Sequence, residues 1–267
     1  MEISFIGAGN LAWHLAPALE NAGHHINEVY SRQAQGARQL VGILYDAHTQ
    51  PDLNFADSAS QLFILAVPDD AIDEVCAQIV LPENAILVHT SGSKPLSLLQ
   101  QLLGVYSDVP VRTGVFYALQ TFSKGQPLLD FEQIPLCIEA SDRDTEAQLV
   151  HLGQELSTIV YLVNSQERKV LHLAAVFACN FSNHLLALAK DLTDAENLEF
   201  DLLKPLIAET FRKAMNAKHP AEVQTGPARR GDQTIMQMHT EYLAAHQPQW
   251  LPVYQPLSES IAQRYRR

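Results

Sequence analysis

Gly7-Ala8-Gly9-Asn10-Leu11-Ala12 sets two glycines and an alanine at the spacing that lets a backbone receive a pyrophosphate. Gly7 permits a tight turn, Gly9 leaves the main chain approachable, and Ala12 lets a helix lie close to a strand. A helix starting there aims free N–H groups at an anion. The ligand these residues predict is a dinucleotide. Roughly 20 residues further on, such sites usually carry Asp or Glu for the ribose 2′-hydroxyl. Ser31 and Arg32 stand there instead. A hydroxyl and a guanidinium suit a 2′-phosphate, which Arg grips with paired, charge-assisted hydrogen bonds. The expected cofactor is therefore NADP(H), held by Gly7, Gly9, Asn10, Leu11, Ser31 and Arg32.

Other residues could supply a proton or hold a substrate. In open α/β sheets ligands collect at the carboxyl ends of strands. That rule selects Val67-Pro68 and His89-Thr90-Ser91-Gly92-Ser93. Val67, Pro68 and Thr90 are expected beside the cofactor. Ser91 and Ser93 can donate to a carboxylate or carbonyl, or simply cap a turn. His89, inside an apolar strand, reads better as a core histidine. Further along, Lys169, His172, Val176, Asn180 and Asn183-His184 recur every three or four residues, so they share a helix face. Polar groups on an apolar helix need partners. This seam faces a cleft between domains or an interface between subunits. Imidazole changes charge near neutral pH, which makes His172 the expected proton donor. Asn180 and Ser91 complete the expected catalytic set, with Ser93, Asn183 and Arg229 on the substrate. Arg229 and Arg230 lie in a Gly/Pro loop leading to a helix capped by Asp232, a local positive point suited to a carboxylate. The same arginines would also serve as ordinary solvated residues.

The elements that must position these groups alternate between strand and helix through residue 163, the pattern of a parallel sheet covered by helices. Expected strands cover 2–6, 26–30, 62–67, 85–89, 111–117, 134–139 and 158–163. A helix is expected over 70–80 and another over 142–157, capped by Ser141 or Asp142. After Asn164 strand alternation stops. Helices are then expected over 166–192, 202–216, 233–244 and 252–266. The fold class is α/β: a Rossmann-type domain over 1–163, then an all-α domain over 164–267 for substrate binding and dimerisation. The 166–192 helix is apolar around much of its circumference and must be buried on several sides, so a homodimer through the helical domain is expected.

Composition narrows the setting. The 267 residues are 47% apolar, enough for a packed core. The net charge of −12 disfavours nucleic acid and anionic membranes. No apolar run reads as long enough to span a membrane. Cys76, Cys137 and Cys179 sit in apolar stretches without C-x-x-C spacing and read as reduced core residues of a cytoplasmic protein. The eleven histidines show no metal-ligand spacing, so no metal is expected.

The order Gly7-x-Gly9-Asn10-Leu11-Ala12, Ser31-Arg32, Ala66-Val67-Pro68 and His89-Thr90-Ser91-Gly92-Ser93 is similar to NADP-binding reductases of the pyrroline-5-carboxylate reductase and 6-phosphogluconate dehydrogenase type. Over nearly its whole length the chain more closely resembles bacterial Rossmann-like proteins with a C-terminal helical domain of unknown function, relatives of deazaflavin-dependent NADP reductases. Residues 114–122, 171–177, 180–184 and 225–230 carry that likeness. Hydroxyacid dehydrogenases use a Lys followed four residues later by Asn. Here Lys169 is followed at that spacing by Leu173, so their pair is missing. The resemblance implies no settled substrate; the leading expectation is an NADP(H)-dependent oxidoreductase acting on a small polar substrate, a carboxylate or an imine. A non-catalytic NADP(H)-binding sensor is the alternative. Hydride exchange with a deazaflavin is a third reading and would need a wide, flat apolar cleft.

Overall fold

The computed structural model describes residues 1–265. In chain order the first part contains β1 (Glu2–Ile6), α1 (Asn10–Asn21), β2 (His25–Tyr30), α2 (Ala34–Val41), β3 (His48–Gln50), β4 (Leu62–Leu65), α3 (Ile72–Cys76) and β5 (Ile86–His89). Then come α4 (Leu96–Tyr106), β6 (Arg112–Ala118), β7 (Leu136–Ala140), α5 (Arg143–Leu156) and β8 (Val160–Leu162). The rest is helical: α6 (Ser165–Ala175), a π-turn (Val176–Phe181), α7 (Ser182–Ala195), α8 (Lys204–Asn216), α9 (Pro227–Arg230), α10 (Gln233–His246) and α11 (Leu251–Tyr265). Residue 266, the end expected for the last helix, lies outside the described residues.

The strands form one sheet in the order β3-β2-β1-β4-β5-β6-β7-β8. The order reverses between β1 and β4, which opens a crevice at their carboxyl ends. Pairing is parallel from β3 to β6, whereas β6 and β7 are antiparallel. The parallel sheet therefore holds for six strands, and β7 and β8 run the other way. The cause is the 119–135 connection, which contains no helix. A chain that makes no helical crossover returns beside the strand it left.

Local sequence explains the central elements. Leu62-Phe63-Ile64-Leu65 is buried throughout, as befits a strand covered on both faces. α1 turns Ala12, Leu15, Ala16 and Leu19 to the sheet, all fully buried. The Asp142 carboxylate caps α5 by accepting from Thr145 N–H, as its sequence predicts.

The chain divides into two compact units, 1–183 and 184–267. The division falls twenty residues beyond the change of pattern at 163/164, because α6 is bonded into the sheet unit. The helix beginning at Ser165 continues through Ala195, and an 18-residue window of it averages a hydropathy of 1.4. This corrects the reading that no segment is apolar enough to cross a membrane. By length and composition this helix is, since an 18-residue window of it carries at most two charged residues. Nor is it buried by its own chain: Leu173, Phe177, Phe181 and Leu185 are exposed. Cys179 on the same stretch is exposed too, unlike the buried Cys76 and Cys137, so only two of the three cysteines belong to the core.

Candidate active site

The glycine turn forms as its sequence predicts. Gly7 adopts φ +110° and donates its N–H to Tyr30 O at 2.8 Å. A Cβ there would lie 2.2 Å from Ala66 O, so no other residue fits. At Gly9 the nearest atom to a Cβ would be 3.9 Å away, leaving the backbone open to a ligand. Both glycines border a cavity of about 520 Å³ that Ser31, Arg32, Val67 and Pro68 also line. Seven of the residues expected to touch cofactor are thus accounted for in or beside one hollow, counting Asn10, whose side-chain oxygen accepts from Lys124 N–H at 3.1 Å. Leu11 instead packs against the hydrophobic core. Thr90 spends its hydroxyl on Leu65 O at 3.1 Å. Glu74 is the one carboxylate among the cavity's described lining residues, against the cations of Arg32 and Lys124. An open glycine turn, a helix N-terminus and a cation beside a serine hydroxyl fit a phosphorylated dinucleotide.

The β5 loop is the second part of the site. Ser91 is buried, and its Oγ accepts from the N–H groups of Ser93 at 3.1 Å and Lys94 at 3.0 Å. The capping use of this serine is therefore present. Ser93 Oγ donates to Asp69 Oδ2 at 2.5 Å, which ties the ends of β4 and β5 together. His89 is fully buried, and its Nδ1 accepts from Ser91 N–H at 3.2 Å. Burial first, and then the nearby Arg168 charge, push its pKa down to about 4. His89 is neutral and shapes the loop.

His172 lies against this loop. Its Nδ1 is 3.1 Å from the Tyr117 hydroxyl at the end of β6. A Cβ built on Gly92 would fall 2.6 Å from His172 Nδ1 and 2.9 Å from Tyr117 Cζ. Any side chain here would displace the imidazole or the phenol, so glycine is favoured by space and not by φ. Burial pushes the Tyr117 pKa up to about 12, so its hydroxyl keeps its proton at neutral pH. That hydroxyl donates to the neutral imidazole, or accepts from it once Nδ1 is protonated.

Arg168 sets where His172 stands. It is completely buried one helical turn earlier. Its Nη1 donates to Glu139 Oε2 at 2.5 Å and its Nη2 to Lys94 O at 2.6 Å. Ser165 Oγ donates to the same carboxylate and accepts from Leu96 N–H at 3.0 Å. Asn164 and Glu167 close a reciprocal capping box at the start of α6. The first turn of α6 is thereby bonded to β7 and to the β5 loop, and His172 follows at i+4.

The rest of the expected polar seam differs. Lys169, Asn180, Asn183 and His184 are exposed in the single chain. The π-turn at Val176–Phe181 re-phases the helix, so positions beyond it do not continue the face of His172 at uniform spacing. In the second unit, Arg229 donates to Gln224 O and stands 5.3 Å over the Tyr265 ring. Asp232 caps α10 as expected, accepting from Ile235 N–H at 3.2 Å. Tyr117, Arg168 and Lys124 were not singled out from sequence.

Comparison with known proteins agrees with this geometry. Residues 2–92 match the family described as NADP oxidoreductase, coenzyme F420-dependent, and residues 134–261 match a domain of unknown function, DUF2520. No curated protein matches the chain. The crystal structure of a "putative NADP oxidoreductase" from Bacteroides fragilis is 42% identical, with a TM-score of 0.87 over 98% of each chain. A reductive aminase from Aspergillus terreus, in complex with NADPH and ethyl-5-oxohexanoate, shares the fold at 16% identity, with a TM-score of 0.71 over 98% of this chain and 92% of that one. So does a 1-pyrroline-5-carboxylate reductase from Streptococcus pyogenes at 12% identity, with a TM-score of 0.61 over 99% and 98%. The chain belongs to the NADP oxidoreductase family in which this Rossmann-type domain is followed by DUF2520.

Proposed function

We propose that the protein is an NADP(H)-dependent oxidoreductase of a small polar substrate, imine-like or carboxylate-bearing, with His172 as its proton donor. The carrying observation is the His172–Tyr117 pair at 3.1 Å over Gly92, at the carboxyl ends of β5 and β6 and in the same unit as the cofactor cradle. Bound NADPH supplies the hydride. Tyr117 holds Nδ1, which leaves the Nε2 proton of the imidazole for the substrate heteroatom. Ser91 and Ser93 shape the loop against which the substrate rests. Asn180 and Asn183 stay candidates only in an assembly that covers them. The fold-sharing reductive aminase and pyrroline-5-carboxylate reductase support a carbon–nitrogen double bond as the reacting group.

The exposed apolar face of the Ser165–Ala195 helix supports a homodimer formed through the helical part of the chain. The free thiols of Cys76 and Cys137, buried in the core, fit a reducing, cytoplasmic setting.

The test is NADPH consumption with a panel of cyclic imines and oxo-acids. His172→Ala should lower turnover by roughly 10²–10⁴-fold while NADPH affinity stays nearly unchanged. Binding of NADPH with no turnover on any member of the panel would instead favour a non-catalytic sensor.

A further inference from the structure

The 119–135 connection between β6 and β7 has no helix or strand, yet it is bonded at several points to α1, the helix that starts at the glycine turn. His14 of α1 is buried and uses both ring nitrogens on this connection. Leu129 N–H donates to Nδ1 at 3.2 Å, which makes Nε2 the protonated nitrogen, and Nε2 donates to Ser123 O at 3.1 Å. Phe122 stacks on Phe131, with ring centroids 5.9 Å apart, and packs beside His14. Between these anchors Lys124 N–H donates to the Asn10 side chain at 3.1 Å.

The result is a fixed strap that carries a cation to the cofactor cavity. Lys124 lines that cavity together with Ser31 and Arg32. Its ammonium lies 5.1 Å over the Trp13 ring and donates to Gln39 Oε1 at 2.9 Å. Gln39 belongs to α2, the helix that follows directly from Ser31-Arg32. The aromatic ring and the amide hold the lysine on the α2 side of the cavity. An ammonium has three donors, and Gln39 takes one of them. In a chain of net charge −12, a cation placed here by so many contacts calls for an anion.

We propose that Lys124 is a second 2′-phosphate-binding residue, delivered by the strap to the cavity that Ser31 and Arg32 also line. This rests on the reading that the cavity holds NADP(H). The strap then makes the preference for NADP over NAD depend on two segments far apart in sequence.

Calorimetric titration of the full chain with NADP⁺ and with NAD⁺ tests this. The unmodified protein should bind NADP⁺ at least ~10-fold tighter than NAD⁺, equivalent to about 1.4 kcal/mol. Equal affinities there would overturn the cofactor reading itself. With that preference in place, Lys124→Gln should weaken NADP⁺ by about 10-fold and leave NAD⁺ unchanged, as Arg32→Ala should. Lys124→Arg should restore most of the loss. An equal loss for both nucleotides would assign Lys124 to the pyrophosphate and overturn the proposal, as would no loss for either. Unchanged thermal melting of the Gln variant separates lost binding from lost folding.

Discussion

Two arginine–glutamate pairs show how differently the two compact units are built. Arg168 and Glu139, in the sheet unit, have side chains 1% and 19% exposed. Arg212 and Glu209, on α8, are 62% and 42% exposed. Hydrogen bonds from Arg212 and Lys213 hold the Glu209 carboxyl down to about 2, but water and salt screen such a pair. The buried pair locks three segments of chain together and orients the residue proposed to donate the proton. The exposed pair decorates a helix. Apolar residues divide in the same way. Every hydrophobic core cluster of the described residues lies within the sheet unit. The helical unit leaves Leu202, Leu206, Phe211 and Met215 in the open. The sheet unit builds a packed interior, although its last helix also bares Leu173, Phe177 and Phe181; the helical unit presents apolar surface without such a cluster among the described residues.

The sharpest way to break this comparison is to delete each arginine in turn. Arg168→Ala leaves the Glu139 carboxylate half-enclosed without its partner and should cost about 3–5 kcal/mol in denaturant unfolding. Arg212→Ala should leave the unfolding midpoint essentially where it was. Similar losses for both would erase the distinction.

A slightly smaller effect should come from pH. His89 titrates near 6.5 when unfolded and is pushed down to about 4 by burial and by the Arg168 charge. The unfolded chain therefore binds the extra proton between those values, and stability falls as pH falls through that window. The slope is about 1.4 kcal/mol per pH unit, about 3 kcal/mol in all. Above pH 6.5 the contribution is complete. Comparing unfolding of the unmodified protein and His89→Gln from pH 7 to 4 checks this, since the variant should lack that share of the slope.

The smallest effect on unfolding should come from the open helix face. Phe181→Glu should halve the mass measured by light scattering if the helix pairs two chains. It should change the unfolding free energy of the sheet unit by less than about 0.5 kcal/mol. A monomer mass for the unmodified protein at micromolar concentration would remove the homodimer.

What could be read in the sequence was what depends on near neighbours. The glycine turn, Ser31-Arg32, the buried strands and the Asp142 and Asp232 caps all follow from residues within a few positions of each other. Long-range pairings were hidden. β3 is three residues long and owes its conformation to pairing with β2. α4 follows Pro95 without a side-chain cap to announce it. Tyr117 meets His172 across 55 residues, and Lys124 meets Asn10 across 114. The π-turn defeated a face assignment that assumed one period throughout.

Gly92 has a consequence for how this site can vary. Two side chains from different segments already occupy the volume that a methyl group there would need. The glycine, the histidine and the tyrosine are therefore one unit of heritable variation. A descendant that keeps the His–Tyr pair can change residue 92 only if one of the two rings moves. One that loses the pair gains a vacant pocket at the strand ends, which the loop can fill with a side chain of its own choosing.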